Sequence, residues 1–268
     1  MPDAPLTSRL AAAGLDWIVP DWPAPSSVHA LSTTRRGGAA GSADFSHRNP
    51  DRASGCAELR RFLPADPLWL EQVHGTAVAS ADCAHASAPQ ADGAVASTVD
   101  AVCAVLTADC LPVLFSDAAA TSVGAAHAGW RGLAAGVLEA TLAAMRVAPQ
   151  SVIAWLGPAI GPAAFEVGDD VHDAFCAIDS GAHSCFVATR AGKWHADLYA
   201  LARQRLARAG VRAVYGGTRC TLREPEDFFS YRRGGDDAPR RMATVIWRAR
   251  GCPRADRMAD RIMARSHR

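Results

Sequence analysis

The feature of this sequence that most constrains its fold is a series of short apolar segments, each close to glycine, proline, aspartate or serine. Such segments are typical of buried strands, because strands are short and turn-forming residues end them. The strands predicted in this way are Val28–Ser32, Leu68–Val73, Ala101–Leu106, Val113–Phe115, Ser122–Ala126, Val152–Leu156, Val211–Val214 and Thr244–Trp247.

Three other segments have the apolar spacing of helices. Within residues 131–146, Leu138, Leu142 and Met145 recur at intervals of four and three. Residues 168–178 and 197–209 have a similar pattern, and arginines in the last turns of 197–209 suit a helix C-terminus. The mixture predicts an α/β fold, with helices packed on mixed sheets, as one domain over residues 1–268. We expect residues 250–268 to form a basic C-terminal tail.

The charge balance and the cysteine pattern exclude several classes of function. The 28 basic and 27 acidic residues argue against a general nucleic-acid-binding protein and against a strongly basic membrane-surface protein. The N-terminus lacks the pattern of a secretory signal, and no apolar run reaches the length of about 18 residues typical of a membrane span. We therefore expect a cytoplasmic protein without nucleic-acid or membrane partners, in which the eight cysteines are free thiols.

Three apolar segments stop at a residue that can bind a metal. His74 follows "LEQV", Cys110 follows "VLTAD" and His127 follows "SVGAA". Strand ends in α/β folds bring functional side chains together. Two imidazoles and one thiolate suit a catalytic zinc ion with one open position, although the same ligand types also bind copper. The alternative for each residue taken singly is an inert turn or core position.

Arginine beside glycine or an aromatic residue marks candidate substrate sites. Arg131 lies in "AGWRG" directly after His127, and Arg35 lies in "TTRRGG" (33–38). Glycine lets the backbone approach an anion, and arginine adds a fixed positive charge. In "FFSYRR" (228–233), Tyr231 and Arg232 could stack a base and hold an anion, whereas a packed aromatic pair with solvated arginines is the alternative.

Seven motifs follow one another over roughly residues 28 to 248: "QVHG" (72–75), "ADG" (91–93), "TADCLPVLF" (107–115), "AHAGWRG" (126–132), "GPAIGPAAFEV" (157–167), "CT" (220–221) and "FFSYRR" (228–233). Together they resemble the laccase-domain family, also called the multicopper polyphenol oxidase or YfiH-type family. The segment "GSADFSHRNPDRASG" (41–55) departs from the family pattern of an Asn-Leu-Gly-type segment with an acidic Gly-Asp motif. One wall of the substrate pocket is therefore not predicted by the resemblance.

The resemblance implies a YfiH-like domain in which His74, Cys110 and His127 bind zinc and form the catalytic centre. It implies phosphorolysis of adenosine, inosine and methylthioadenosine, and deamination of adenosine, with purine nucleosides and phosphate as partners. Older members were named copper-dependent polyphenol oxidases, and bacterial members have been linked to peptidoglycan editing.

Three functions from different classes remain open. In a purine nucleoside enzyme, Arg35 and Arg131 would hold the phosphate at C1′ of the ribose, and zinc would activate the water for deamination. In a thiol hydrolase, His127 would activate Cys110 without a metal, and peptide or amide bonds would be the target. The third alternative is a non-catalytic, metal-stabilised binding protein. A copper oxidase is disfavoured, because multicopper chemistry needs more clustered histidines than the sequence offers.

Asp109, beside Cys110, has two possible roles. Zinc deaminases need a proton shuttle. Adjacent residues of an extended strand, however, point to opposite faces, so we expect Asp109 to brace the loop instead. The sequence carries no signal for the oligomeric state.

Overall fold

The computed structural model describes residues 4–37 and 43–250. Its α-helices are α1 Leu6–Ala12, α2 Arg52–Arg60, α3 Trp130–Ala135, α4 Val137–Met145, α5 Asp169–Cys176 and α6 Leu198–Arg208. Short 3-10 helices cover Pro149–Ser151, Ser180–Cys185 and Gly235–Asp237. The strands are β1 Val28–Ser32, β2 Pro67–Leu68, β3 Val78–Ser80, β4 Gly93–Ala96, β5 Val102–Thr107, β6 Leu111–Asp117, β7 Val123–Ala128, β8 Val152–Leu156, β9 Glu166–Gly168, β10 Phe186–Arg190, β11 Lys193–Ala196, β12 Ala213–Gly216 and β13 Met242–Arg248.

The strands form three sheets. The largest has the order β12-β8-β6-β7-β4-β3, the second has the order β1-β13-β5-β2, and the smallest has the order β10-β11-β9. The two larger sheets are mixed, because β12 pairs with β8, β3 with β4 and β2 with β5 in parallel, while their other pairs are antiparallel. The predicted mixed-sheet α/β fold is confirmed.

The two larger sheets pack face to face between two layers of helices. In β5, Cys103 and Val105 face the six-stranded sheet, whereas Val102 and Ala104 share the opposite apolar cluster with residues of α1 and α2. The outer face of the six-stranded sheet packs against α3 to α6. The strands β5, β6 and β7 are buried along their whole length, because both of their faces are covered.

Most predicted elements are confirmed, with three differences. The strand predicted over Leu68–Val73 is wrong after Leu68, where the chain becomes a loop that makes only an isolated bridge at Glu71. The strand predicted over Val211–Val214 is shifted to β12. The helix predicted over 131–146 is divided into α3 and α4, because Gly136 adopts a left-handed conformation with φ 105°.

The connection between β5 and β6 crosses from one large sheet to the other, and it contains Cys110. Its turn depends on Asp109, which has a φ of 85°. A positive φ is rare outside glycine, and aspartate is one of the residues that tolerate it. The predicted C-terminal tail lies outside the described residues, except for Arg250. Residue 38 of "TTRRGG" and residues 41–42 of the divergent segment also lie outside them.

Candidate metal centre

His74, Cys110 and His127 lie together at one point of the structure. Their ligand atoms are all within 4.8 Å of one another. Nε2 of His74 is 3.9 Å from Sγ of Cys110, and the two imidazole rings meet edge to face with centroids 4.8 Å apart. In a tetrahedral zinc site, bond lengths of about 2.0–2.1 Å to nitrogen and about 2.3 Å to sulfur put these atoms about 3.6 Å apart. The three side chains therefore fit one zinc ion after only a small contraction.

Each of the three residues comes from a different structural context. His127 lies inside β7, one residue before its end, and Cys110 directly precedes β6. His74 lies in the loop after β2 and has a φ of 60°. The expectation that each ligand ends a strand is therefore wrong in detail, although the residues do meet. Backbone strain of this kind persists where surrounding contacts hold it, which is common at functional sites.

The contacts that hold the His74 loop in this conformation come from Asp92, which has no solvent-exposed surface. Its Oδ1 accepts hydrogen bonds from the His74 N–H at 3.0 Å and from Nδ1 of His127 at 2.8 Å. Its Oδ2 accepts from the N–H groups of Val73 at 3.1 Å and Gly75 at 2.7 Å. One carboxylate thus fixes the His74 loop and orients His127, as outer-shell carboxylates do in zinc sites. Sequence reasoning did not identify Asp92 as a site residue, although it is the aspartate of the "ADG" motif.

Electrostatic coupling favours the charged forms of two of the candidate ligands, Cys110 and His127. Burial opposes charge on both side chains. Attraction to the Cys110 thiolate and the hydrogen bond to Asp92 nevertheless raise the pKa of His127, while the His127 imidazolium lowers the pKa of Cys110. A thiolate is the form of cysteine that binds metals and that acts as a nucleophile.

Gly129 packs directly against this centre. A Cβ atom at this position would lie 2.8 Å from Cδ2 of His74 and 3.1 Å from Sγ of Cys110. Gly129 is also the residue that precedes α3. Any side chain here would push against two of the three candidate ligands, so the first glycine of "AGWRG" allows the helix to begin beside the site.

The side chain of Asp109 ties the Cys110 turn to a second loop. It accepts hydrogen bonds from Oγ1 of Thr221 at 2.6 Å, from Oγ of Ser230 at 2.9 Å and from the N–H of Arg232 at 2.6 Å. This contact joins the "TADC", "CT" and "FFSYRR" motifs. The expectation that Asp109 braces the loop agrees with these hydrogen bonds.

The 228–233 loop presents one exposed aromatic ring near the centre. Tyr231 is 64% exposed and lies between Ser230 and Arg232, both of which bind Asp109. Phe228 and Phe229 are fully buried in a cluster with Ala108 and Met242, so they cannot stack a substrate base. Tyr231 is therefore the ring in this motif that remains available to a ligand.

The predicted anion-binding arginines differ in how they are held. The Arg131 guanidinium is exposed and lies over the Trp130 ring, 4.3 Å from its centroid. Arg232 donates to the carbonyl of Glu166 and lies over Phe165. No hydrogen bond or ion pair joins the Arg131 side chain to another described residue, so its donors remain available.

Arg35 is held more firmly. Its guanidinium donates to the carbonyl of Pro225 at 2.6 Å and to Asp237 at 3.3 Å, and it lies over the Phe229 ring at 5.1 Å. These contacts already use much of its hydrogen-bonding capacity. Its predicted role in phosphate binding stays a prediction.

A further arginine, Arg241, was missed by sequence reasoning. Burial lowers the pKa of its guanidinium, while Cys110, Asp109 and Tyr231 are among the groups that favour its charged form. Its Nη1 donates to the carbonyls of Ala238 and Arg240. A half-buried positive charge therefore lies close to Cys110 and Tyr231. Arg241 directly precedes the apolar strand β13, and its position in the sequence gave no signal of this contact.

The comparisons with known proteins agree with the fold and with these motifs. The family described as "Multi-copper polyphenol oxidoreductase laccase" matches residues 29–249. The chain is 48% identical to "Purine nucleoside phosphorylase YfiH" of Escherichia coli (strain K12), with 86% of this chain and 98% of that protein covered. It is 49% identical to "Purine nucleoside phosphorylase" of Xylella fastidiosa (strain 9a5c), with 86% and 96% covered.

A solved structure is similar over the same extent. The crystal structure of a Neisseria meningitidis protein of the DUF152 family superposes with a TM-score of 0.82 and 48% identity, covering 87% of this chain and 99% of that one. None of the helices in residues 4–37 and 43–250 is both long enough and apolar enough to cross a membrane.

Proposed function

The chain belongs to the multi-copper polyphenol oxidoreductase laccase family, and on that premise we propose that it is a zinc-dependent purine nucleoside phosphorylase that also deaminates adenosine. Relatives named purine nucleoside phosphorylase support an enzyme acting on nucleosides and phosphate. The observation that carries the proposal is the convergence of His74, Cys110 and His127. Asp109, next to Cys110, also holds the loop that carries the exposed Tyr231.

The donor set favours zinc as the resident metal. Two imidazoles and one thiolate are ligands that zinc prefers, and three protein ligands leave the fourth position of a catalytic site open. The hydrogen bond between Asp92 and Nδ1 of His127 leaves Nε2 of this ring free to act as a ligand. When bound, zinc supplies a Lewis acid next to the substrate. Copper binds the same ligand types, so metal analysis must decide between them.

Phosphorolysis sets clear tasks for the surrounding side chains. An oxygen of phosphate forms a bond to C1′ of the ribose, the bond from C1′ to N9 of the purine breaks, and the base leaves with the electron pair and takes up a proton. Arg131 and Arg241 would attract and hold the phosphate through charge-assisted contacts. Tyr231 would stack on the purine, and Arg232 would hold the loop that carries it.

Deamination of adenosine would use the same centre. Water adds at C6 of the purine, ammonia leaves and inosine is formed. Asp92 keeps His74 and His127 in place for this step. The hydrogen bonds of Asp109 to the 228–233 loop support a positioning role for that residue.

We also propose that the family domain extends over the whole of residues 1–268 and that the protein works in the cytoplasm. The nearly equal numbers of basic and acidic residues, 28 and 27, support the absence of nucleic-acid partners. A cytoplasmic location is supported by the free thiols of the seven described cysteines.

The proposal is tested by incubating the zinc-loaded protein with adenosine, inosine or methylthioadenosine, with and without phosphate, and separating the products chromatographically. We expect free base and ribose 1-phosphate, or its methylthio analogue, only when phosphate is present. We expect inosine and ammonia from adenosine without phosphate. Absence of phosphate-dependent base release from all three nucleosides would reject phosphorolysis.

A second candidate is supported by the charged Cys110–His127 pair beside Asp92. This order of side chains resembles the catalytic arrangement of a thiol hydrolase, in which a base activates cysteine and a carboxylate orients the base. Amide bonds of peptidoglycan peptides would then be the substrate. Chelator-resistant hydrolysis of such peptides, abolished by alkylation of Cys110, would favour this alternative over the metal-dependent enzyme.

A further inference from the structure

A second group of possible metal ligands lies elsewhere in the described chain. His172 and Cys176 are four residues apart on α5, so their side chains project from the same face of the helix. His183 comes from the 3-10 helix Ser180–Cys185. The ligand atoms of His172, Cys176 and His183 all lie within 4.8 Å of one another. This group shares no residue with the first centre.

The distances in this second group are close to those of a tetrahedral metal site. Nε2 of His172 lies 3.4 Å from Sγ of Cys176, against about 3.6 Å for a nitrogen and a sulfur bound to one zinc ion. Nε2 of His172 lies 2.9 Å from Nδ1 of His183, against about 3.3 Å for two zinc-bound nitrogens. A separation of 2.9 Å also fits a hydrogen bond between the two rings, so an ion would replace a shared proton and move the rings apart by about 0.4 Å.

The surroundings hold His172 in the orientation that a ligand needs. Its Nδ1 bonds to Oδ1 of Asp173 at 2.9 Å, which directs Nε2 toward Cys176 and His183. Its ring stacks on Trp194 with a centroid distance of 4.2 Å and an interplanar angle of 10°. Fixed orientation of a histidine by a carboxylate is a common feature of metal sites.

The elements that carry these ligands are anchored in the core. Val171 and Phe175 of α5 are buried in the same apolar cluster as Ala182 and Cys185 of the 3-10 helix. The ligands therefore come from two elements whose relative position is fixed by packing.

We propose that His172, Cys176 and His183 form a second binding site for a divalent transition-metal ion, with zinc as the ion that best suits the donor set. Two nitrogens and one sulfur are suitable ligands for zinc, and His183 is exposed, so the fourth position is open to water. The bound ion would join α5 to the Ser180–Cys185 helix. This inference is independent of the function proposed for the first centre.

The test is the number of zinc ions that each chain retains after equilibrium dialysis against buffered micromolar zinc. We expect two ions for the unmodified protein and one for each of the variants His183→Ala and Cys176→Ser. His85→Ala is a matched control, because His85 is also exposed but bonds only to the carbonyl of Ser80 among the described residues. The control should retain two ions.

The variant Cys110→Ser isolates the second site. We expect it to bind one ion, and the double variant Cys110→Ser/His183→Ala to bind none. Loading Cys110→Ser with cobalt should give a thiolate-to-cobalt charge-transfer band that disappears when Cys176→Ser is added. The exposed position of His183 makes His183→Ala a variant that should fold, and circular dichroism would verify this.

Two results would overturn the proposal. One is a single ion in the unmodified protein together with none in Cys110→Ser. The other is an unchanged pair of ions in folded His183→Ala. In either case the contact between His172 and His183 would be a hydrogen bond between two rings and nothing more.

Discussion

Replacing Asp92 with asparagine tests whether this buried carboxylate organises the first candidate metal centre. Each carboxylate oxygen accepts two hydrogen bonds: Oδ1 from His74 and His127, and Oδ2 from Val73 and Gly75. The amide nitrogen of asparagine cannot accept, so two donors lose their partner. Each unsatisfied buried donor lowers the free energy of unfolding by about 1–3 kcal/mol, so the two donors together lower it by about 2–6 kcal/mol. We expect the loss in the free energy of unfolding to lie in the lower half of this range. Val73 is exposed, so water can reach the part of the loop that carries its N–H group.

The same substitution should also weaken metal binding. Loss of a carboxylate that orients a ligand histidine lowers metal affinity by about 10- to 100-fold. Zinc affinity would be measured by competition with a chromophoric chelator, and the free energy of unfolding by urea denaturation of the metal-free protein. Both would be measured in a Cys176→Ser background, so that the second proposed site does not contribute.

Asp82→Asn is the matched control for this experiment. Asp82 also accepts several hydrogen bonds, from the N–H and Oγ of Ser97 and from the N–H of Thr98, but it is exposed and contacts none of the three ligands. We expect its replacement to leave zinc affinity unchanged. If Asp92→Asn binds zinc as tightly as Asp82→Asn, then Asp92 does not orient the site and the reasoning is refuted.

Three further changes test other parts of the site. Gly129→Ala should weaken zinc binding, because the new methyl group would meet His74 at 2.8 Å and Cys110 at 3.1 Å; unchanged metal content by elemental analysis would contradict this. Arg131→Ala should raise the KM for phosphate by about 10- to 100-fold, since charge-assisted contacts are worth about 1.5–3 kcal/mol, and it should leave zinc bound; an unchanged KM would make this arginine structural. Asp109→Asn should raise the KM for nucleoside more than it lowers kcat, because the 228–233 loop loses its anchor. Steady-state kinetics would measure both parameters, and equal KM values would show that the loop does not contact the nucleoside.

The sequence predicted the central strands well, because local pattern and burial agree there. β1 and β8 were predicted residue for residue, and β5, β6, β7 and β13 were recognised from their apolar runs. The pattern failed at Leu68–Val73, where apolar residues lie in a loop whose N–H groups bind a distant aspartate. It also failed to divide 131–146, since the apolar spacing continues across Gly136 while the backbone turns.

The three candidate ligands could be selected from the sequence, because metal binding by cysteine and histidine depends on their residue type, and the structure brings them together. Asp92 could not be predicted as a site residue, because a single aspartate before a glycine is typical of an ordinary turn. Only the structure shows the four donors that hydrogen-bond to its carboxylate. Arg241 and the second ligand group were missed for a related reason. Their partners are brought together by tertiary packing, which spacing along the chain does not encode.

The most direct test of the proposed function is the activity of one preparation before chelation, after chelation and after zinc is returned. Phosphate-dependent release of base from adenosine should be lost when zinc is removed and restored when it is added back. Alkylation of Cys110, followed by peptide mapping, should be slow in the zinc-loaded protein and fast after chelation, because the ion protects the thiolate. Activity that resists chelation but is abolished by alkylation of Cys110 would contradict the account and identify the cysteine as a nucleophile.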